Sequence, residues 1–67
     1  MISEEIIKRA RYYGAEKQAN PDISVGEYHE DLAICLGKDR WVDLSSEQRQ
    51  VLSEAFEKGR EDERKLQ

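Results

Sequence analysis

The sequence predicts an all-α protein that forms a compact three-helix bundle in a single domain over residues 1–67. Three observations favour this fold. Apolar residues recur at helical spacing in three segments, whereas no stretch shows sustained strand alternation. Serines stand at the candidate helix starts, and a proline and a glycine follow the first two segments. The chain has 67 residues, which is enough for one domain at most.

The first helix is predicted over residues 3–19. Ser3 is a suitable N-cap residue, and Asn20-Pro21 ends the helix because the residue before a proline disfavours the helical conformation. A glycine within a helix costs about 1 kcal/mol relative to alanine. Gly14 lies on the apolar face, so we expect another helix to approach closely there. The residues of that face are Ile6, Ile7, Ala10, Tyr13, Gly14 and Lys17.

The second helix is predicted over residues 24–36. Ser24 and Glu27 fit the S-x-x-E capping box, and Gly37 fits the left-handed position that ends many helices. Its apolar face consists of Val25, Tyr28, Leu32 and Leu36. The opposite side carries Glu27, Glu30, Asp31 and Ile34.

The third helix is predicted over residues 46–62, with Ser45 and Gln48 as a second capping box. Its apolar stripe is Val51, Leu52, Ala55, Phe56 and Gly59. Residues 60–67 contain only Leu66 as a large apolar side chain, so a partly frayed extension is expected. In the preceding loop, Trp41 is expected to fold back over the core.

Composition limits the classes of function. The chain has a net charge of −4, a charged fraction of 39%, one cysteine and one histidine. The acidic balance argues against nucleic acid and membrane surfaces as partners, because such partners require clustered Lys and Arg. No intramolecular disulfide is possible. Chains of this size often need a partner chain for stability, so we expect a homodimer. The N-terminal residues do not resemble a signal peptide, and we expect a cytoplasmic protein.

Catalytic and ligand-binding patterns are not evident. His29 and Cys35 are six residues apart on one helix, about 120° apart around its axis, which does not suit a catalytic pair. The carboxylates of the second helix offer too few oxygens for a hard cation, and no glycine-rich phosphate loop is present. We therefore expect a non-enzymatic protein without catalytic, cofactor-binding or metal-binding residues.

Apolar residues outside the predicted core are the feature of the sequence that indicates contact with a partner. Tyr12 lies opposite the apolar face of the first helix, and Ile34 lies among the acidic residues of the second. Ile34 is either covered by the Trp41 loop or an exposed anchor for a basic partner. The predicted partner interface comprises Tyr12, Ala15, Ala19, Glu27, Glu30, Asp31, Ile34 and Trp41.

Two alternatives remain open. A DNA-binding regulator would use Lys8, Arg9 and Arg11, although the connections between helices do not match the short turn of a helix-turn-helix. An acidic nucleic-acid mimic that inhibits a DNA- or RNA-binding enzyme is the other alternative.

Over its full length, from MISEEIIKRARYYGAEK to WVDLSSEQRQVLSEAFEKGREDER, the chain resembles the small acidic all-helical accessory proteins of temperate bacteriophages and prophages. The resemblance rests on size, charge and residue texture. It implies a protein that binds and modulates a host or phage protein in the host cytoplasm, and it assigns no functional residue.

Overall fold

The computed structural model describes residues 2–66, which form three α-helices and one 3₁₀ turn. The helices are α1 (Glu4–Ala19), α2 (Val25–Cys35) and α3 (Ser46–Leu66), and the 3₁₀ turn is Trp41–Asp43. No strand occurs among these residues. The all-α prediction is confirmed, and α3 continues to Leu66, four residues beyond the predicted end at position 62.

The helix starts show which caps form. The Ser3 hydroxyl accepts a bond of 3.4 Å from the Ile6 amide. At α3, the Gln48 amide donates to the Ser45 hydroxyl at 3.1 Å, and the Ser45 amide donates to the Gln48 side chain at 2.9 Å, so this capping box is confirmed. The capping box predicted at Ser24 is wrong, because the Ser24 side chain makes no cap bond although its backbone is the N-cap.

Gly37 ends α2 as predicted. Its φ of 78° is left-handed, a conformation that side-chain-bearing residues disfavour. Two backbone bonds of 2.9 Å close the helix end, from the Gly37 amide to the Ile34 carbonyl and from the Lys38 amide to the Ala33 carbonyl. This is the Schellman pattern, and it turns the chain towards the 3₁₀ segment.

Two glycines bring the backbones of α1 and α3 together. An ideal Cβ at Gly14 would lie 1.8 Å from the Phe56 carbonyl oxygen, and one at Gly59 would lie 1.8 Å from the Arg11 carbonyl oxygen. The close approach expected at Gly14 is thus confirmed. Ile7 lies beside Val51 near the start of both helices, and Gly14 meets Phe56 farther along, so α1 and α3 run in the same direction. Helix α2 packs against α1, and its Tyr28 ring lies 5.9 Å from the Phe56 ring of α3.

The core lies between α1, α2 and α3 under the 3₁₀ turn. Leu32 and Leu52 are fully buried, and the predicted core residue Phe56 is also buried. Among residues 2–66, the remaining buried apolar side chains are Ala10, Tyr28, Ala33 and Leu44. Trp41 is half-buried and packs against this core, so its predicted folding back is confirmed.

Lys17 ties α1 to the turn that follows it. Its Nζ donates to the Pro21 carbonyl at 2.7 Å and to the Ile23 carbonyl at 2.6 Å. Lys17 is half-buried, and these bonds give its ammonium group partners on the core side of α1.

Candidate protein interaction surfaces

Among residues 2–66, four large apolar side chains are exposed, and they lie on different parts of the molecule. The exposed fractions are 64% for Tyr12, 64% for Ile34, 63% for Val42 and 81% for Leu66. Single exposed apolar residues are common in proteins. Their surroundings therefore decide which of them are candidate contacts.

Ile34 lies on an outer face of α2 together with Glu27 and Glu30, and these three residues are here called the acidic face. All three side chains are exposed. Positions 27, 30 and 34 share one side of a helix because residues three, four and seven apart are neighbours on its surface. The alternative that the Trp41 loop covers Ile34 is wrong, because Ile34 is 64% exposed.

Asp31 also belongs to the predicted interface, but its carboxylate is engaged within the chain. The Tyr13 hydroxyl of α1 donates to Asp31 Oδ2, and Arg9 Nη1 lies 3.9 Å from the same oxygen. Burial and this hydrogen bond raise the pKa of Tyr13. Asp31 therefore joins α2 to α1 at the edge of the acidic face. The sequence pattern offered no signal for this contact beyond the position of Tyr13 on the core side.

Trp41 is held by His29 of α2. The two rings stack with centroids 4.0 Å apart and an interplanar angle of 11°. Burial lowers the pKa of His29, so the neutral imidazole is favoured beneath the indole. Trp41 thus covers the core as well as presenting a partly exposed edge.

Tyr12 lies on the outer side of α1, and the outer face of α1 is defined here by Glu5, Lys8, Tyr12, Glu16 and Ala19. Tyr12, Lys8 and Ala19 are exposed, and Glu16 is half-buried. Ala15, also predicted for the interface, is half-buried, and its amide nitrogen lies 3.0 Å from an ideal Cβ at Gly59. The Ala15 backbone therefore belongs to the contact between α1 and α3.

Both arginines of α1 lie beside carboxylates of the same chain. Arg11 Nε donates to Asp62 Oδ2 at 2.8 Å, and this hydrogen bond lowers the pKa of Asp62. Arg9 Nη1 lies 3.9 Å from Asp31 Oδ2. Of the three residues that a DNA-binding α1 would use, two therefore have acidic neighbours in the same chain.

A groove that the sequence analysis missed lies where α1 and α3 begin. Its volume is about 310 Å³, and it is lined by Ile2, Ile7, Ser45, Glu47, Gln48 and Val51. The apolar character of Ile2 and Ile7 was evident, but only the parallel arrangement of α1 and α3 brings them beside Val51.

Within residues 2–66, no three His, Cys, Asp or Glu side chains form a group suited to a metal ion. None of the helices in that range combines the length and apolar character needed to cross a membrane.

Comparison of the chain with protein-family models, curated proteins and solved structures finds no match. The resemblance to bacteriophage accessory proteins therefore stays a prediction.

Proposed function

We propose that this chain is a non-enzymatic interaction module whose acidic face binds a basic segment of another protein. The observation that carries the proposal is the 64% exposure of Ile34 on the same face as Glu27 and Glu30, on a helix that contains no Lys or Arg. An apolar anchor with a rim of one charge favours a partner that offers an apolar pocket with a rim of the opposite charge.

The architecture supports this use of α2. The Schellman turn at Gly37 and the contact of Asp31 with Tyr13 fix the helix at its end and along one side. The acidic face is therefore presented on a rigid element, so little order has to be gained on binding. The resemblance of the sequence to bacteriophage accessory proteins makes a host or phage protein the expected partner.

The molecule would also self-associate through the outer face of α1, where Tyr12 is exposed. The acidic face of α2 does not suit pairing with a copy of itself, because like charges would be juxtaposed. The outer face of α1 carries both charges and has no such obstacle.

DNA binding is the second candidate, and it has less support. Arg9 and Arg11 lie beside Asp31 and Asp62, and α3 presents Glu47, Glu54 and Glu57 to solvent. Nucleic-acid mimicry is compatible with the acidic face, since a nucleic-acid-binding enzyme offers a basic surface. Competition by duplex DNA for the captured partner distinguishes mimicry from other protein contacts.

Affinity capture with matched variants tests the proposal. Immobilised wild-type protein and Ile34→Asp are compared in lysate of the producing cell, with Leu66→Asp as the control because Leu66 is exposed at the far end of α3. We expect a protein captured by the wild type and by Leu66→Asp to be lost from Ile34→Asp. Equal capture by all three would contradict a role for the acidic face.

A further inference from the structure

We propose that two copies of this chain pair antiparallel through the outer face of α1, with Tyr12 on the twofold axis and Lys8 of each copy beside Glu16 of the other. The inference rests on the self-association proposed above and adds its geometry. It names the occupant of the outer face as a second copy of the chain.

The charges of this face have no ion-pair partners inside the described part of the molecule. The ion pairs among the described residues join Arg9 to Asp31, Arg11 to Asp62 and Arg60 to Glu57. Lys8 and Glu16 take part in none of them. Tyr12, four residues from each, is the large apolar side chain between them and is 64% exposed.

Spacing makes the face complementary to itself in one orientation only. Positions 8, 12 and 16 form an i±4 row, so their side chains are neighbours along one side of the helix. When two such rows run antiparallel about Tyr12, position 12 − 4 of one copy lies beside position 12 + 4 of the other. The dimer interface then contains two symmetry-related Lys8–Glu16 pairs.

Other arrangements lack this complementarity. A parallel pairing about a twofold axis would place Lys8 beside Lys8 and Glu16 beside Glu16, and like charges that face each other are unfavourable. In the antiparallel arrangement, Ala19 lies opposite Glu5, where its small side chain allows the helices to approach. The charge order of α1 therefore selects antiparallel pairing.

The contact is small. Helix α1 has 16 residues and a length of about 24 Å, so the interface falls in the low range of areas typical of transient complexes. We expect reversible dimerisation with a dissociation constant in the micromolar range.

Charge reversal tests the pairing by sedimentation equilibrium. Lys8→Glu and Glu16→Lys each place like charges at both symmetric contacts, so each should weaken dimerisation about tenfold or more. The double variant restores both pairs in reverse and should recover wild-type dimerisation. Failure of the double variant to recover would overturn the antiparallel geometry.

Disulfide trapping tests the axis directly in a Cys35→Ser background. Tyr12→Cys brings two thiols together at the twofold axis, so mild oxidation should give a covalent dimer. In the matched control Glu5→Cys, the two thiols lie about 21 Å apart along the paired helices, beyond the reach of a disulfide. Efficient cross-linking of Glu5→Cys with none of Tyr12→Cys would contradict the inference.

The two experiments separate the failure of the geometry from the failure of self-association. A wild-type chain that remains monomeric at millimolar concentration overturns both. A wild-type dimer that is insensitive to Lys8→Glu and Glu16→Lys overturns the geometry alone and leaves self-association through another surface.

Discussion

Gly14 and Gly59 are the positions where one added methyl group is expected to lower the stability most. A Cβ at Gly14 would collide with the Phe56 carbonyl carbon and oxygen, which belong to the backbone of α3 and cannot rotate away. Overpacking of this kind costs about 1–3 kcal/mol or more. We expect Gly14→Ala to lower the free energy of unfolding by at least that amount, as measured by urea denaturation.

Gly26 provides the matched control for Gly14→Ala. It also lies in a helix, but the nearest atom to its ideal Cβ is the Ser24 Oγ at 3.9 Å. Because alanine has the higher helix propensity, Gly26→Ala should be neutral or stabilising by up to about 1 kcal/mol. Equal destabilisation by the two substitutions would show that the contact between α1 and α3 is not the cause.

The stack of His29 on Trp41 predicts a pH dependence of stability. Burial lowers the folded-state pKa of His29 below its ordinary value of 6.5, so the unfolded chain binds a proton more readily. The free energy of unfolding should therefore be highest above pH 6.5 and fall as the pH drops from there through the folded-state pKa. Urea titrations followed by Trp41 fluorescence measure this dependence.

The variant His29→Gln isolates the contribution of the histidine, because its side chain does not titrate. We expect the decrease in this pH window to be absent from the variant, whereas the acidic unfolding due to carboxylates persists. A wild-type curve that is flat from pH 8 to about pH 5 would be inconsistent with a depressed pKa.

The N-caps of α2 and α3 give a paired prediction. The Ser45 hydroxyl accepts a hydrogen bond from the Gln48 amide, whereas the Ser24 side chain makes no cap bond. Loss of an N-cap costs about 0.5–2 kcal/mol. Ser45→Ala should therefore lower the free energy of unfolding by this amount, and Ser24→Ala by only a few tenths as measured by urea denaturation. A larger effect at Ser24 would mean that its hydroxyl caps α2 in solution.

The helices were predictable from local chemistry, whereas their contacts depended on tertiary geometry. Ser3, Pro21, Gly37 and Ser45 mark boundaries because each acts on the backbone next to it. The Ser24 box failed because a capping motif requires a rotamer that the sequence does not specify. The bond between Tyr13 and Asp31 was not predictable, since it depends on the register of α1 against α2. The exposure of Ile34 was one of two alternatives, and only the position of the loop decided between them.

The small core makes the stability of the molecule sensitive to single truncations. Phe56 is buried and stacks obliquely on Tyr28, with ring centroids 5.9 Å apart. Truncation of a buried Phe to Ala costs about 3–5 kcal/mol, comparable to the total stability of a domain of this size. Phe56→Ala should unfold the chain at room temperature, as followed by circular dichroism. A cooperative melt near the wild-type midpoint would contradict the position of Phe56 in the core.

In the function proposed here, the acidic face of α2 is the surface that meets a separate partner. The chain has five isoleucines, and Ile34 is the one on this face. NMR spectra of protein labelled at the isoleucine methyl groups therefore report on contact at this face through one signal. On titration with the captured partner, we predict that the Ile34 methyl signal shifts or broadens most, while the signals of Ile2, Ile6 and Ile7 change little. An unchanged Ile34 signal alongside large shifts at Ile2 and Ile7 would contradict the claim and place the partner in the groove between α1 and α3.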